Sequence, residues 1–133
     1  MGNRLTNMPN GFSTFIVDSN AEEKAAAYTV IITTDSGKTL TNAETDGVVF
    51  TLPAIAVGNT ITFVNTAPDG QADLTISPNA ADGITYAGDA TDDKDIINTK
   101  ATAKYGDYVT LASLDGVIAW QVVDARGVWA KEA

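Results

Sequence analysis

The side chains able to do chemistry in this chain are almost all carboxylates. Histidine and cysteine are both absent. Their absence removes the commonest general base, the thiolate nucleophile, the usual zinc ligands and any disulfide. Thirteen aspartates and four glutamates remain. Glycoside hydrolysis needs two carboxyls about 5–10 Å apart, one of them held at raised pKa. So many aspartates in 133 residues provide such a distance by chance, and no pair is singled out. The densest group, Asp89, Asp92, Asp93 and Asp95, offers oxygens that suit calcium. It lacks the glycine at the sixth position and the closing bidentate glutamate of an EF-hand loop, and a solvated acidic loop explains it equally well. No phosphate-cradling glycine pattern occurs. The chain is therefore expected to carry no catalytic residue, cofactor or resident metal.

Contact chemistry is better represented. Trp120, Trp129, Tyr86, Tyr105 and Tyr108 could stack on a sugar. Trp120 is claimed for the core by the hairpin described below, whereas Trp129, close to the last residue, becomes an anchor at an oligomer interface if it is exposed. The opening segment carries Leu5, Met8, Phe12, Phe15, Ile16 and Val17 among Asn3, Asn7, Pro9, Asn10 and Gly11. Apolar residues so interrupted cannot bury themselves alone. They lie over their own domain or attach to another chain; in the second case Asn3, Arg4, Leu5, Met8, Phe12 and Phe15 are the candidate contacts. Met1 to Thr6 also fits the short myristoylation pattern, which recurs often by accident.

Charge narrows the partners. Seventeen acidic against eight basic residues give a formal charge of −9, and the basic residues are scattered singly. Such a surface repels phosphate backbones, so nucleic acid is not expected as a partner. No apolar run approaches the ~18 residues of a membrane span, and the first residues lack the layout of a secretory signal, so no membrane partner is expected either.

Eighteen threonines and a wealth of Val and Ile favour pleated strands. An irregular N-terminal arm is expected over residues 1–27, with a short helix opened by a capping box at Asn20 and Glu23. A β domain is expected over 28–133. Strands are read at 28–33, 48–52, 60–64, 73–77 and near 84–86, with residues 79–104 otherwise a long loop. The sharpest signal is Asp115-Gly116, the dipeptide of a two-residue type I′ hairpin turn. Its register pairs Leu114 with Val117, Ser113 with Ile118, Leu111 with Trp120 and Val109 with Val122, which gathers the bulky residues on one face. A last strand follows at 128–130. The fold class is thus all-β: a single antiparallel sandwich or barrel-like domain behind an N-terminal arm.

Two stretches, Asp46 to Asn65 and Asn98 to Leu111, followed by Trp120 and by Gly127 to Ala130, cover about half the chain. They resemble the β-rich modules of capsid decoration, or cement, proteins and of head and tail fibres of tailed bacteriophages. The resemblance implies a virion protein on the capsid exterior. It would bind the major capsid protein and itself, often as a homotrimer, and stabilise the shell through an arm at residues near 2–17. It implies no catalytic residue. A receptor- or glycan-binding module of a fibre is the alternative, and would need exposed aromatics at Tyr86, Tyr105 or Trp129.

Overall fold

The computed structural model describes residues 4–7 and 13–16, as backbone strands, and residues 20–133. Strands β1 (Arg4–Asn7) and β2 (Ser13–Ile16) pair antiparallel with each other and join neither main sheet. The segment expected to be irregular thus contains a ladder, which its Asn, Pro and Gly punctuation concealed.

The remaining strands are β3 (Ala21–Glu23), β4 (Tyr28–Thr29), β5 (Thr39–Asn42), β6 (Val48–Thr51), β7 (Thr60–Asn65), β8 (Leu74–Ser77), β9 (Gly83–Thr85), β10 (Ile96–Asn98), β11 (Asp107–Ala112), β12 (Ala119–Arg126) and β13 (Trp129–Lys131). They form a five-stranded sheet in the order β13-β10-β8-β6-β4 and a six-stranded sheet in the order β3-β5-β7-β11-β12-β9. From β3 to β8 the chain alternates between the two sheets, so successive strands within one sheet run the same way. β3, β5 and β7 are parallel, as are β4, β6 and β8. The expected antiparallel sheet is corrected accordingly to two mixed sheets. Antiparallel pairing enters with β10 against β8 and β11 against β7.

Side chains from both sheets meet in one core. Phe50, Leu74, Ile76 and Ile96 come from one sheet, and Leu40, Ile61, Phe63, Val109, Leu111 and Trp120 from the other. The Phe50 and Phe63 rings touch with centroids 5.0 Å apart. On β7 the period-2 reading holds: Ile61 and Phe63 point inward, while the Thr62 hydroxyl meets that of Thr110 across the ladder at 2.9 Å.

The helix expected after Asn20 is absent. Residues 21–23 instead run parallel to β5, and Lys38 and Lys24 engage the Glu22 carboxylate on that strand. A one-turn helix, α1 (Ile32–Asp35), replaces the end of the strand read at 28–33. Buried Asp35 causes this turn: its carboxylate accepts from the Tyr28 hydroxyl at 2.7 Å and the Ile31 amide at 2.8 Å. Burial, then the bond to Asp35, pushes the Tyr28 phenol up to about 12. A folded-state pKa above the unfolded value favours the protonated form in the fold. This contribution is complete below pH 10 and is lost as pH rises towards 12. The bond to Asp124 also raises the Tyr108 phenol, so phenolate absorbance should show late-titrating tyrosine in the folded protein, and Tyr28→Phe should remove the part of that step that lies towards pH 12.

The C-terminal hairpin exists, but not with the expected turn or register. Leu111 faces Val122 and Ala112 faces Gln121, and the ladder shifts between Thr110 and Leu111 so that Val123 is skipped. A type I′ turn needs positive φ at both central residues, and neither Asp115 nor Gly116 has it. The strands part at Ser113, which is tied elsewhere. Its hydroxyl donates to the Ala56 carbonyl and accepts from the Asn59 amide, and its amide donates to the Asn59 carbonyl at 2.9 Å. The Asp115 carboxylate meanwhile accepts from the Val117 and Ile118 amides. The slip next to the expected pairing is two residues, which preserves facing. Val109, Leu111 and Trp120 are therefore buried as read, whereas Ile118, assigned to the same face, is exposed.

Candidate functional site

The two ends of the β domain differ in chemistry. β5 and β7 end, and β11 begins, at one of them, where Asn42, Asn65 and Asp107 are neighbours across the six-stranded sheet. Asn98, from the other sheet, completes a buried polar network. Asn65 Nδ2 donates to Asn98 Oδ1 at 2.9 Å and to the Ala72 carbonyl at 3.0 Å. Asn98 Nδ2 donates to Asp107 Oδ2 at 3.0 Å and to the Val128 carbonyl at 3.1 Å. Asp107 Oδ2 also accepts from the Lys104 amide. A Cβ on Gly127, whose φ is +99°, would collide with the Asp107 carboxylate, so only glycine fits there. The network unites the two sheets.

At the opposite end two loops present exposed apolar side chains. The loops, residues 53–59 and 113–118, are fastened together through Ser113, and the Gly58 amide donates to the Ser113 carbonyl at 2.9 Å. Val57, Leu114, Val117 and Ile118 stand out from them, 61–78% exposed. Four of the nine large apolar side chains left exposed among the described residues lie on these two loops. Sequence reasoning missed them, because an ideal hairpin would have turned Leu114, Val117 and Ile118 into ladder positions. β3, β5 and β7 all start at this end, as Asn20 accepting from the Thr39 amide and Thr60 accepting from the Gly37 amide show. The segment preceding Asn20 therefore joins the β domain at this end.

Of the residues read as arm contacts, Arg4, Leu5 and Phe15 lie on the β1–β2 ladder, with Leu5 opposite Phe15. Asn3, Met8 and Phe12 lie outside the described residues. The condition attached to Trp129 is not met: it is 6% exposed, belongs to the core, and donates from Nε1 to the Arg126 carbonyl. Pairing of β13 with β10 places this ring inward, a constraint invisible while residues 79–104 read as loop. The tyrosines are not gathered into a platform. Tyr86 packs against the core, the Tyr108 hydroxyl donates to Asp124 at 2.9 Å, and Tyr105 is exposed. The ring contacts among the described residues are Tyr28–Phe50 and Phe50–Phe63.

The acidic loop is occupied with its own backbone. Asp89 accepts from the Thr91 hydroxyl and amide, which holds its carboxyl below the usual range. The Asp93 amide donates to the Asp82 carbonyl, and burial raises the Asp95 carboxyl. Among the described residues no group of three or more acidic side chains is placed to hold a metal ion, and no helix is long and apolar enough to cross a membrane. No protein-family model and no curated protein matches the chain.

Proposed function

We propose that this chain is a virion structural protein that binds the outer surface of an assembled bacteriophage capsid and stabilises it, as a homo-oligomer and in the simplest case a trimer. The observation that carries the proposal is the β1–β2 ladder, which is a strand member of neither main sheet. An isolated two-stranded hairpin is marginal in water, so it needs a surface to lie on. That surface is, in this reading, the major capsid protein, reached from the end of the β domain that the segment enters. The resemblance of the sequence pattern to that of decoration proteins, the formal charge of −9 and a polar interior spent on structural bonds support the same role. The two mixed sheets are read as a sandwich rather than a closed barrel, since each sheet has its own two edge strands. The role needs no catalytic residue, cofactor, nucleic acid or membrane.

Mass analysis of intact virions tests this. Hundreds of copies per particle are expected. A handful would transfer the chain to a fibre and make glycan binding the activity to assay, and absence from the particle would refute both.

A further inference from the structure

We infer that Asp115 is a site of spontaneous covalent modification. Of the four Asp-Gly dipeptides in the chain, Asp115-Gly116 is the one the fold leaves open to rearrangement, through a cyclic imide, to isoaspartate. The inference goes beyond the proposed function and does not depend on it.

The reaction needs only the chain and water. The Gly116 amide nitrogen bonds to Cγ of the Asp115 carboxylic acid, and the acid hydroxyl leaves with the amide proton as water. Water then adds to one of the two ring carbonyls and breaks its bond to that nitrogen. Opening at the former side-chain carbonyl leaves the main chain running as before, through Cα. Opening at Cα's own carbonyl leaves it running through Cβ and Cγ, which is isoaspartate. Composition is unchanged, and no oxidant or cofactor takes part. Glycine favours ring closure because no Cβ crowds the attacking nitrogen.

Asp46-Gly47, Asp69-Gly70, Asp82-Gly83 and Asp115-Gly116 share that sequence, and the fold separates them. Ring closure takes the proton from the glycine amide, so an amide already donating to a fixed carbonyl resists it. The Gly47 amide donates to Glu44 at 2.9 Å, that of Gly70 to Ala103 at 2.9 Å and that of Gly83 to Ile118 at 3.2 Å. A Cβ on Gly47 would stand 2.8 Å from the Asp73 carbonyl oxygen, and one on Gly83 would collide with that of Ala90, so both backbones are hemmed in. The Asp82 and Asp69 carboxylates are held from distant segments, by the Ile55 and Tyr105 amides.

Gly116 is exposed, and its amide has no hydrogen-bond partner among the described residues. The Asp115 carboxylate accepts from the Val117 and Ile118 amides at 2.8 and 2.7 Å, inside its own loop. These bonds turn the carboxyl towards the chain that follows it and tie it to no other segment. They also hold it below the usual carboxylate range, so the reacting acid form is scarce at neutral pH and the reaction should quicken in mild acid. In isoaspartate the main chain is one atom longer and the free carboxylate hangs from the former Cα. Both bonds are then lost.

The full chain, incubated for weeks at physiological temperature both folded and in urea, then digested, tests the inference. Isoaspartate is read peptide by peptide, by retention and by methyl transfer from an isoaspartate methyltransferase. Asn10-Gly11, which closes the same ring by losing ammonia, is read in its own peptide. In the folded protein Asp115 should react at least about fivefold faster than Asp46, Asp69 or Asp82, the effect of one amide hydrogen bond on the barrier. In urea the four should react at comparable rates. The modified chain should lose hydrogen-exchange protection at Val117 and Ile118 with its circular dichroism unchanged. Asp115→Glu, which would need a six-membered ring, should abolish methyl acceptance in that peptide. Reaction at another Asp-Gly as fast as at Asp115 in the folded protein would overturn the inference. So would an equal lead for Asp115 in urea, or a folded chain left intact at Asp115 while the chain in urea reacts there.

Discussion

Asn98→Ala is expected to lower the unfolding free energy by about 3–5 kcal/mol, because it removes one partner from several buried groups at once. Asn98 accepts from Asn65 and donates to Asp107 and Val128. Alanine would take one hydrogen-bond partner from the Asn65 amide, which keeps Ala72, one from the Asp107 carboxylate, which keeps Lys104, and one from the Val128 carbonyl, in a site where Asn65, Asn98 and Asp107 are at most 2% exposed. The stability curve against urea should shift its midpoint at nearly constant slope. Asn98→Asp makes a sharper test. It turns the donating amide nitrogen into a second carboxylate oxygen facing Asp107, and two such neighbours cannot both ionise cheaply. One carboxyl of the folded variant then has a raised pKa. The stability tied to its proton is present below the unfolded value of about 3.9 and lost as pH rises through the folded one. The variant should therefore lose more at neutral than at mildly acid pH, relative to the parent. Equal loss at both would show that Asn98 and Asp107 do not share a proton-sensitive bond.

Trp120→Ala should cost a similar amount, about 3–5 kcal/mol, for a different reason: a fully buried indole leaves a cavity that strands β9 and β11 cannot collapse into. Trp120→Phe should cost much less, about 1–2 kcal/mol. Trp120 Nε1 is buried without a hydrogen-bond partner among the described residues. Removing that unsatisfied N–H offsets part of the lost packing. Trp129, also in the core, remains as the fluorescent reporter of unfolding in both variants. A phenylalanine variant as unstable as the alanine variant would mean that the indole nitrogen makes a bond essential to the fold.

These two sites differ in how far the sequence revealed them. Trp120 was legible because facing in a strand depends only on odd or even spacing from its neighbours. The two-residue slip and the skipped Val123 left that parity intact for Val109, Leu111 and Trp120. The turn was not legible, because Asp115-Gly116 favours a type I′ turn only when the flanking residues are free to pair. Here Ser113 is held by Ala56 and Asn59, more than fifty residues earlier. Long-range bonds of this kind leave no periodic trace. The network of Asn65, Asn98 and Asp107 was hidden similarly, since each residue sits at a strand end where Asn and Asp read as turn formers. The parallel pairings were hidden by the layer alternation: local pattern shows that a segment is a strand, but not which strand lies beside it. β3 and β10, with three residues each, are too short to show a period at all.

For the candidate site, sequence reading marked the arm by its interrupted apolar residues but missed the exposed apolar side chains of residues 113–118, where Ile118 was assigned to the core face and Leu114 and Val117 to a ladder pair. Trp129 went the other way, from expected anchor to core residue. The two errors have different sources: the hairpin ladder ends at Ala112 and resumes at Ala119, short of the expected turn, and the β10 partner that turns Trp129 inward lay in a stretch read as loop.

The most direct measurement of the central claim is co-sedimentation of the purified chain with undecorated capsid shells, full length beside a version lacking residues 1–17. The full-length chain should saturate the shells at a fixed ratio to the major capsid protein, and the shortened chain should stay in the supernatant while keeping its β circular dichroism and its buried tryptophans. Full-length protein that fails to sediment with the shells would contradict the account, and equal binding by the shortened chain would remove the arm from it.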